Sequence, residues 1–162
     1  MLNGNGNGIY ELEGNGVRKF PLDGSYPVSG AIGCYKDRKT GTIKAGENIP
    51  AYYAVYISAL KVAMIASKSE EHAVVGPNLS DGQVNTNGDL HFGVAGSAIL
   101  RLDATVGGVS AKDTLVLSDT TPGTFCKQTV SGPYLAIASE NGAAEGVVNV
   151  IWGKGYRVIP GD

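Results

Sequence analysis

Two histidines, His72 and His91, two cysteines, Cys34 and Cys126, and a scatter of carboxylates are the groups in this chain that could do acid–base, nucleophilic or metal chemistry. A general base or nucleophile needs a partner that holds and polarises it, and a metal needs three or four ligands at fitting spacing. Neither histidine has such a partner pattern. His91 falls in Asp89-Leu90-His91-Phe92-Gly93 after the Asn87-Gly88 turn pair, where strand alternation points it outward, and His72 reads the same way. The cysteines lie far apart, without a CxxC pair, each in an apolar context, so reduced and buried thiols are expected. The chain has no GxSxG, HExxH or phosphate-loop pattern, and Gly4-Asn5-Gly6-Asn7-Gly8 lacks the strand-then-helix setting of a dinucleotide fingerprint.

Small all-β proteins can also work through acid pairs or calcium, which brings in Asp81, Asp89, Asp103, Asp113, Asp119, Glu140 and Glu145. Asn85-Thr86-Asn87-Gly88-Asp89 opens like a calcium loop, but no bidentate Glu follows at the required spacing. Asp103 and Asp113 sit at strand ends, where a carboxylate more simply caps a turn. Lys36, Arg38, Lys39 and Lys44 gather around Thr40-Gly41 with only Asp37 to offset them. They read as a solvated hairpin tip, with contact to an acidic protein surface as the alternative. No catalytic, cofactor-binding or metal residue is assigned, and the expectation is a protein that is not an enzyme and carries no cofactor.

The elements that must position these residues are strands. Hydrophobic residues make up 43% of the 162 and charged ones 17%, a balance that suits a folded domain. The 24 glycines sit singly between apolar runs, where tight turns need them. Strands are expected over 31–35, 51–57, 62–66, 72–75, 90–94, 98–103, 113–117, 124–129, 134–138 and 147–152. Turns fall at Lys39-Thr40-Gly41, Asn87-Gly88, Gly107-Gly108, Pro122-Gly123 and Asn141-Gly142. Short strands at this spacing predict an all-β fold, a small β-barrel or β-sandwich of antiparallel strands. Along 52–57, Tyr52, Ala54 and Tyr56 share one face and Tyr53, Val55 and Ile57 the other, so one face is expected to be core and the other an interface. Trp152 is expected in the core.

Residues 1–28 read as an extended N-terminal arm and 29–162 as the β-domain. The Gly-Asn tract has nothing to bury, whereas Leu2, Ile9, Tyr10, Leu12 and Phe20 are apolar anchors that could hold an arm to a neighbour. A formal net charge of −2 gives no drive toward nucleic acid or an anionic membrane. There is no basic start with an apolar core, and no apolar run of spanning length, so a protein made and kept in its producer's cytoplasm is expected.

One pattern runs through the chain twice. Ile43 to Ala51, a strand through Ile57, then Lys61-Val62-Ala63-Met64-Ile65-Ala66, Ala73-Val74-Val75-Gly76 and Gly96 to Leu102 make the first pass. Val109 to Asp113, Thr114-Leu115-Val116-Leu117, Gly123 to Gln128, Tyr134 to Ser139 and Gly146 to Trp152 make the second. With Lys44-Ala45-Gly46-Glu47, Ser110-Ala111-Lys112-Asp113, Tyr134-Leu135-Ala136-Ile137-Ala138-Ser139-Glu140 and Ala144-Glu145-Gly146-Val147-Val148-Asn149-Val150, residues 43–152 resemble the capsid cement, or head decoration, proteins of tailed bacteriophages. Members commonly show Ala-Gly-Asp before the aliphatic strand. Here Lys112 replaces that glycine, and Tyr52-Tyr53 stands where Gly-Asp is usual in the first pass. The resemblance implies a structural virion protein on the capsid exterior. It would bind the major capsid protein and cement adjacent subunits as a homo-oligomer, a trimer being favoured, with no nucleic-acid or membrane partner. Contact residues on this reading are Leu2, Ile9, Tyr10, Leu12, Phe20, Tyr52 and Tyr56. A carbohydrate- or cell-surface-binding β-module of a tail or fibre, using the loops from Asn78 to Asp89, is the alternative.

Overall fold

The computed structural model describes residues 8–13, 16–21 and 39–162, with side chains from Thr40 onward. Leu2, Cys34, the expected strand at 31–35 and the charges at 36–38 lie outside the described residues. The chain divides into two compact units, Met1–Lys36 and Asp37–Asp162. In the first, β1 (Gly8–Glu13) pairs antiparallel with β2 (Gly16–Pro21), Ile9 opposite Phe20 and Leu12 opposite Val17. Four of the expected arm anchors therefore lie on one hairpin.

The second unit is all-β, as its alternating apolar runs require. β3 (Lys39–Lys44), β7 (Asp89–Arg101), β8 (Thr114–Leu117), β9 (Phe125–Lys127), β10 (Gly132–Ala138) and β11 (Val147–Arg157) form an antiparallel sheet in the order β3-β7-β11-β10-β8-β9. β4 (Ala54–Ile57), β5 (Ala63–Ile65) and β6 (Val74–Pro77) form a second sheet in the order β5-β4-β6. Among the described residues the sheets do not form a closed barrel.

A larger core gathers Leu100, Leu102, Leu115, Leu117, Phe125, Val148, Val150 and Trp152. Phe125 meets Trp152 edge to face, 6.0 Å between ring centres at 88°, the arrangement aromatic quadrupoles favour. A smaller core holds Ala45, Ile49, Val55, Ala63, Val84, Leu90 and Phe92. β4 runs between them, with Ala54 in the larger core and Val55 in the smaller, both fully buried. Where one core face was expected on this strand, both faces meet a core, at Ala54 and at Val55. Tyr56 packs on the larger core and Tyr53 on the smaller.

Other boundaries moved for local reasons. Thr40-Gly41 is no turn: it lies inside β3, Gly41 opposite Phe92, and a Cβ on Gly41 would sit 2.5 Å from the Phe92 ring. The segments 90–94 and 98–103 are one strand, β7, which bends through Gly96 at φ 86° instead of ending. His72 belongs to a 3-10 turn, Lys68–Ala73, whose Glu71 carboxylate accepts the Leu117 amide at 2.8 Å and pairs with Lys68 at 2.9 Å.

Several hydrogen bonds recur at matching places. Ile49 and Val84 exchange two backbone bonds, as do Val109 and Gly142. Ala45 donates to Gly88 and Leu102 to Gly146, each receiving carbonyl lying just before a long strand, β7 or β11. Tyr52 donates to Asn78 and Lys112 to Ala138, both at 2.8 Å. Left-handed backbone recurs with them: Tyr52 at φ 68° and Lys112 at 76°, Lys61 at 61° and Gly123 at 80°, Asn87 at 68° and Glu145 at 63°.

Candidate contact surfaces

The tyrosine segment is anchored before it can offer anything to a partner. Tyr52 is held at left-handed φ by its amide bond to Asn78 and by its carbonyl, which accepts the Arg101 amide at 3.1 Å. A bulky residue there costs about 1–2 kcal/mol relative to relaxed backbone, so the partly exposed ring sits where glycine would be easier. Asn78 is fully buried, and its side-chain amide donates to the carbonyls of Ile49, Pro50 and Gly82. That amide is committed to shaping the loop and is not presented to a ligand.

Beside Tyr53 a cleft of about 340 Å³ is lined by Pro50, Tyr53, Arg101, Leu102, Ala104, Thr121, Thr124 and Glu145. The Arg101 guanidinium donates to the Glu145 carbonyl at 3.0 Å. Thr124 donates to Thr121 O at 2.7 Å. A planar cation, hydroxyls and an aromatic ring around one opening suit a polar, hydrogen-bonding ligand group. Sequence reasoning missed Arg101 and Glu145 as a pair, since 44 positions separate them and only the sheet joins them.

Asp103 proves to be an organising group. Fully buried, it accepts from the Thr105 amide and hydroxyl, each at 2.6 Å, from Thr120 Oγ1 at 2.6 Å and from Ser118 Oγ. Burial pushes its pKa up, but the Ser118, Thr105 and Thr120 hydroxyls and the Thr105 amide outweigh that and hold the carboxyl far below the usual range. Its expected turn-capping role is what the structure shows, as it is for Asp113, which accepts the Ser110 amide at 2.8 Å and pairs with Lys127 at 3.0 Å. Asp89 pairs with Lys44 at 2.7 Å. Among the described residues no group of three or more His, Cys, Asp and Glu is placed to hold a metal ion.

His91 faces outward as expected, within hydrogen-bond distance of Thr42 Oγ1 at 2.9 Å, and His72 is exposed. Cys126 is a free, partly buried thiol whose pKa burial pushes up, which leaves it a weak nucleophile at neutral pH. Trp152 lies in the core.

The outward face of β11 exposes two apolar side chains on either side of Asn149. Val147 and Ile151 are 44% and 54% exposed, and Ile151 lies opposite the partly exposed Ile137. No protein-family model matches the chain, and no curated protein matches it.

Proposed function

We propose that this chain is a structural virion protein that binds the outer surface of a phage capsid, cementing adjacent major capsid subunits as a homo-oligomer, with the trimer favoured. The observation that carries the reading is conformational. The two places where the cement-protein pattern has glycine, Tyr52 and Lys112 here, are both left-handed, at φ 68° and 76°, and both make the same backbone bond across their sheet. A motif glycine supplies that conformation at little steric cost, so the departure is in the side chain and not in the backbone.

The domain, on this reading, is an internally duplicated sandwich. In support, Ala45, Ile49, Val55, Ala63, Leu90 and Phe92 in the smaller core take the places of Leu102, Val109, Leu115, Phe125, Val148 and Val150 in the larger. The order β5-β4-β6 likewise repeats as β9-β8-β10. This alignment pairs the start of β7 at Asp89 with the start of β11, replacing the Gly96 to Leu102 match read from sequence alone. Residues 1–28 serve as the arm. Burying Ile9, Tyr10 and Leu12 on a neighbour contributes about 1.5–3 kcal/mol each, against about 1–2 kcal/mol for each arm residue ordered.

The test is co-sedimentation with expanded shells of the phage that encodes the protein, comparing the full chain with one lacking residues 1–12. The full chain should pellet with shells and the shortened one, still folded by circular dichroism, should not. A full chain that ignores its own shells refutes the proposal. The cleft at Tyr53 and Arg101 favours one second reading, a carbohydrate- or cell-surface-binding module, which a glycan array would detect.

A further inference from the structure

The cleft beside Tyr53 has walls that are fixed by the chain itself. The Tyr53 ring lies over Gly123, where a Cβ would stand 2.4 Å from the ring's Cδ2, and Gly123 holds φ 80°. Glycine at this position thus makes the turn and admits the ring, which also packs on the smaller core. Arg101 is held from both ends: its amide donates to the Tyr52 carbonyl at 3.1 Å and its guanidinium to the Glu145 carbonyl at 3.0 Å. Glu145 is fixed in turn by left-handed backbone, φ 63°, and by its amide bond to the Asp103 carbonyl at 3.3 Å.

What these walls leave unspent is hydrogen-bonding capacity of both kinds. A guanidinium carries several N–H donors, and among the described residues the Arg101 side chain bonds only to Glu145. Glu145 is exposed, and its carboxylate has neither hydrogen bond nor ion pair among the described residues. These groups discriminate by charge. A carboxylate or phosphate ligand would answer Arg101 alone, would meet Glu145 at the same opening, and would have the ionised Asp103 behind the wall, 3.4 Å from Thr124 Oγ1. One cation against two anions disfavours an acidic ligand. A sugar hydroxyl both donates and accepts, so neighbouring hydroxyls of one sugar can accept from Arg101 and donate to Glu145. The Tyr53 ring supplies an apolar surface for the C–H face of that sugar, and about 340 Å³ lies within the size range of small-ligand sites.

We propose that the cleft at Tyr53, Arg101 and Glu145 binds a neutral sugar residue, with Arg101 donating to one hydroxyl, Glu145 accepting from its neighbour and Tyr53 lying against the ring. This rests on the carbohydrate reading given second above. It goes beyond that reading in naming the ligand class, uncharged over acidic sugars, and the residue that turns acidic ones away, Glu145. It also moves the site from the loops between Asn78 and Asp89, since the Asn78 amide is spent on backbone carbonyls. Attachment to a shell is neither required nor opposed.

The test is a glycan array of matched pairs, glucose- and galactose-terminated glycans beside their uronic-acid and sialylated counterparts, probed with the full chain as wild type, Glu145→Gln and Arg101→Gln. Wild type should bind neutral members and pass over the acidic ones. Glu145→Gln keeps the carbonyl that orients Arg101 and removes the charge, so it should weaken neutral binding severalfold and admit acidic members. Arg101→Gln should lose about tenfold or more in affinity, the effect of removing a charged donor. Titration of wild type with the best neutral glycan, followed by amide chemical shifts, should place the changes at Tyr53, Arg101, Thr121 and Glu145, a measurement that depends on no variant. Binding confined to acidic glycans, a folded Glu145→Gln with unchanged choice, or shift changes elsewhere would overturn the inference and leave the carbohydrate reading standing. An array with no bound glycan refutes both, and co-sedimentation with shells is decided separately.

Discussion

Replacing Lys112 with glycine should stabilise this protein. Lys112 is exposed, sits at φ 76°, and uses only its backbone, donating to the Ala138 carbonyl at 2.8 Å. Left-handed backbone costs a residue with a Cβ about 1–2 kcal/mol, and glycine removes that cost. Glycine also loses more freedom on folding, about 0.5–1 kcal/mol relative to alanine. The net gain is about 0.5–1 kcal/mol, or about 1–4 °C in Tm for a chain of this length. Lys112→Val has the opposite sign, because a branched Cβ tolerates positive φ least, and should lower Tm by a few degrees. Tyr52→Gly relieves the same strain but removes a partly buried ring, so its Tm change should fall below that of Lys112→Gly. If Tyr52 contacts the shell, the same variant should also bind shells more weakly. Differential scanning calorimetry on the three variants reads all the stability signs. If Lys112→Gly and Lys112→Val move Tm in the same direction, the left-handed assignment is wrong, and with it the match between the glycine positions of the cement-protein pattern and this backbone.

Further outcomes follow from other parts of the domain. Asp103→Asn removes the charge that the surrounding hydroxyls and amide solvate and should cost about 2 kcal/mol, seen as a lower urea midpoint. Because the folded pKa of Asp103 is depressed, its contribution is complete above the ordinary aspartate value of about 4 and is lost as pH falls from there through the folded value. Urea midpoints taken from pH 6 downward should therefore fall more steeply for wild type than for Asp103→Asn. Gly76→Ala should abolish folding or cost more than about 3 kcal/mol, since its Cβ would lie 1.5 Å from the Gly93 carbonyl oxygen; soluble yield and circular dichroism will show it. Glu71→Gln weakens the bond to the Leu117 amide and the Lys68 pair. It should cost about 1 kcal/mol and speed hydrogen exchange in the Lys68–Ala73 turn.

How far the fold could be read beforehand depended on whether a residue's role was local. The strands around Leu115, Ile137 and Val150 were legible because alternation and adjacent turns fix them together. Thr40-Gly41 misled because Gly41 is needed to clear the Phe92 ring across the sheet, a demand made by a residue 51 positions away (92 − 41). The turn at Tyr52 was hidden for the converse reason: a left-handed position filled by tyrosine has no glycine to announce it. Asp103 could be read as a cap, but Ser118 and Thr120 reach it only once β7 and β8 are in place. The cleft at Arg101 has the same character, since no spacing rule joins Tyr53, Arg101 and Glu145.

The proposed duplication also bears on why this chain would serve as an adhesive. On that reading β7 is long because it has two tasks, its first half completing the first repeat against β3 and its second half opening the next against β11. In a protein repeated over a lattice, as proposed above, even a weak contact at every copy suffices, because many such contacts bind collectively far beyond the strength of one.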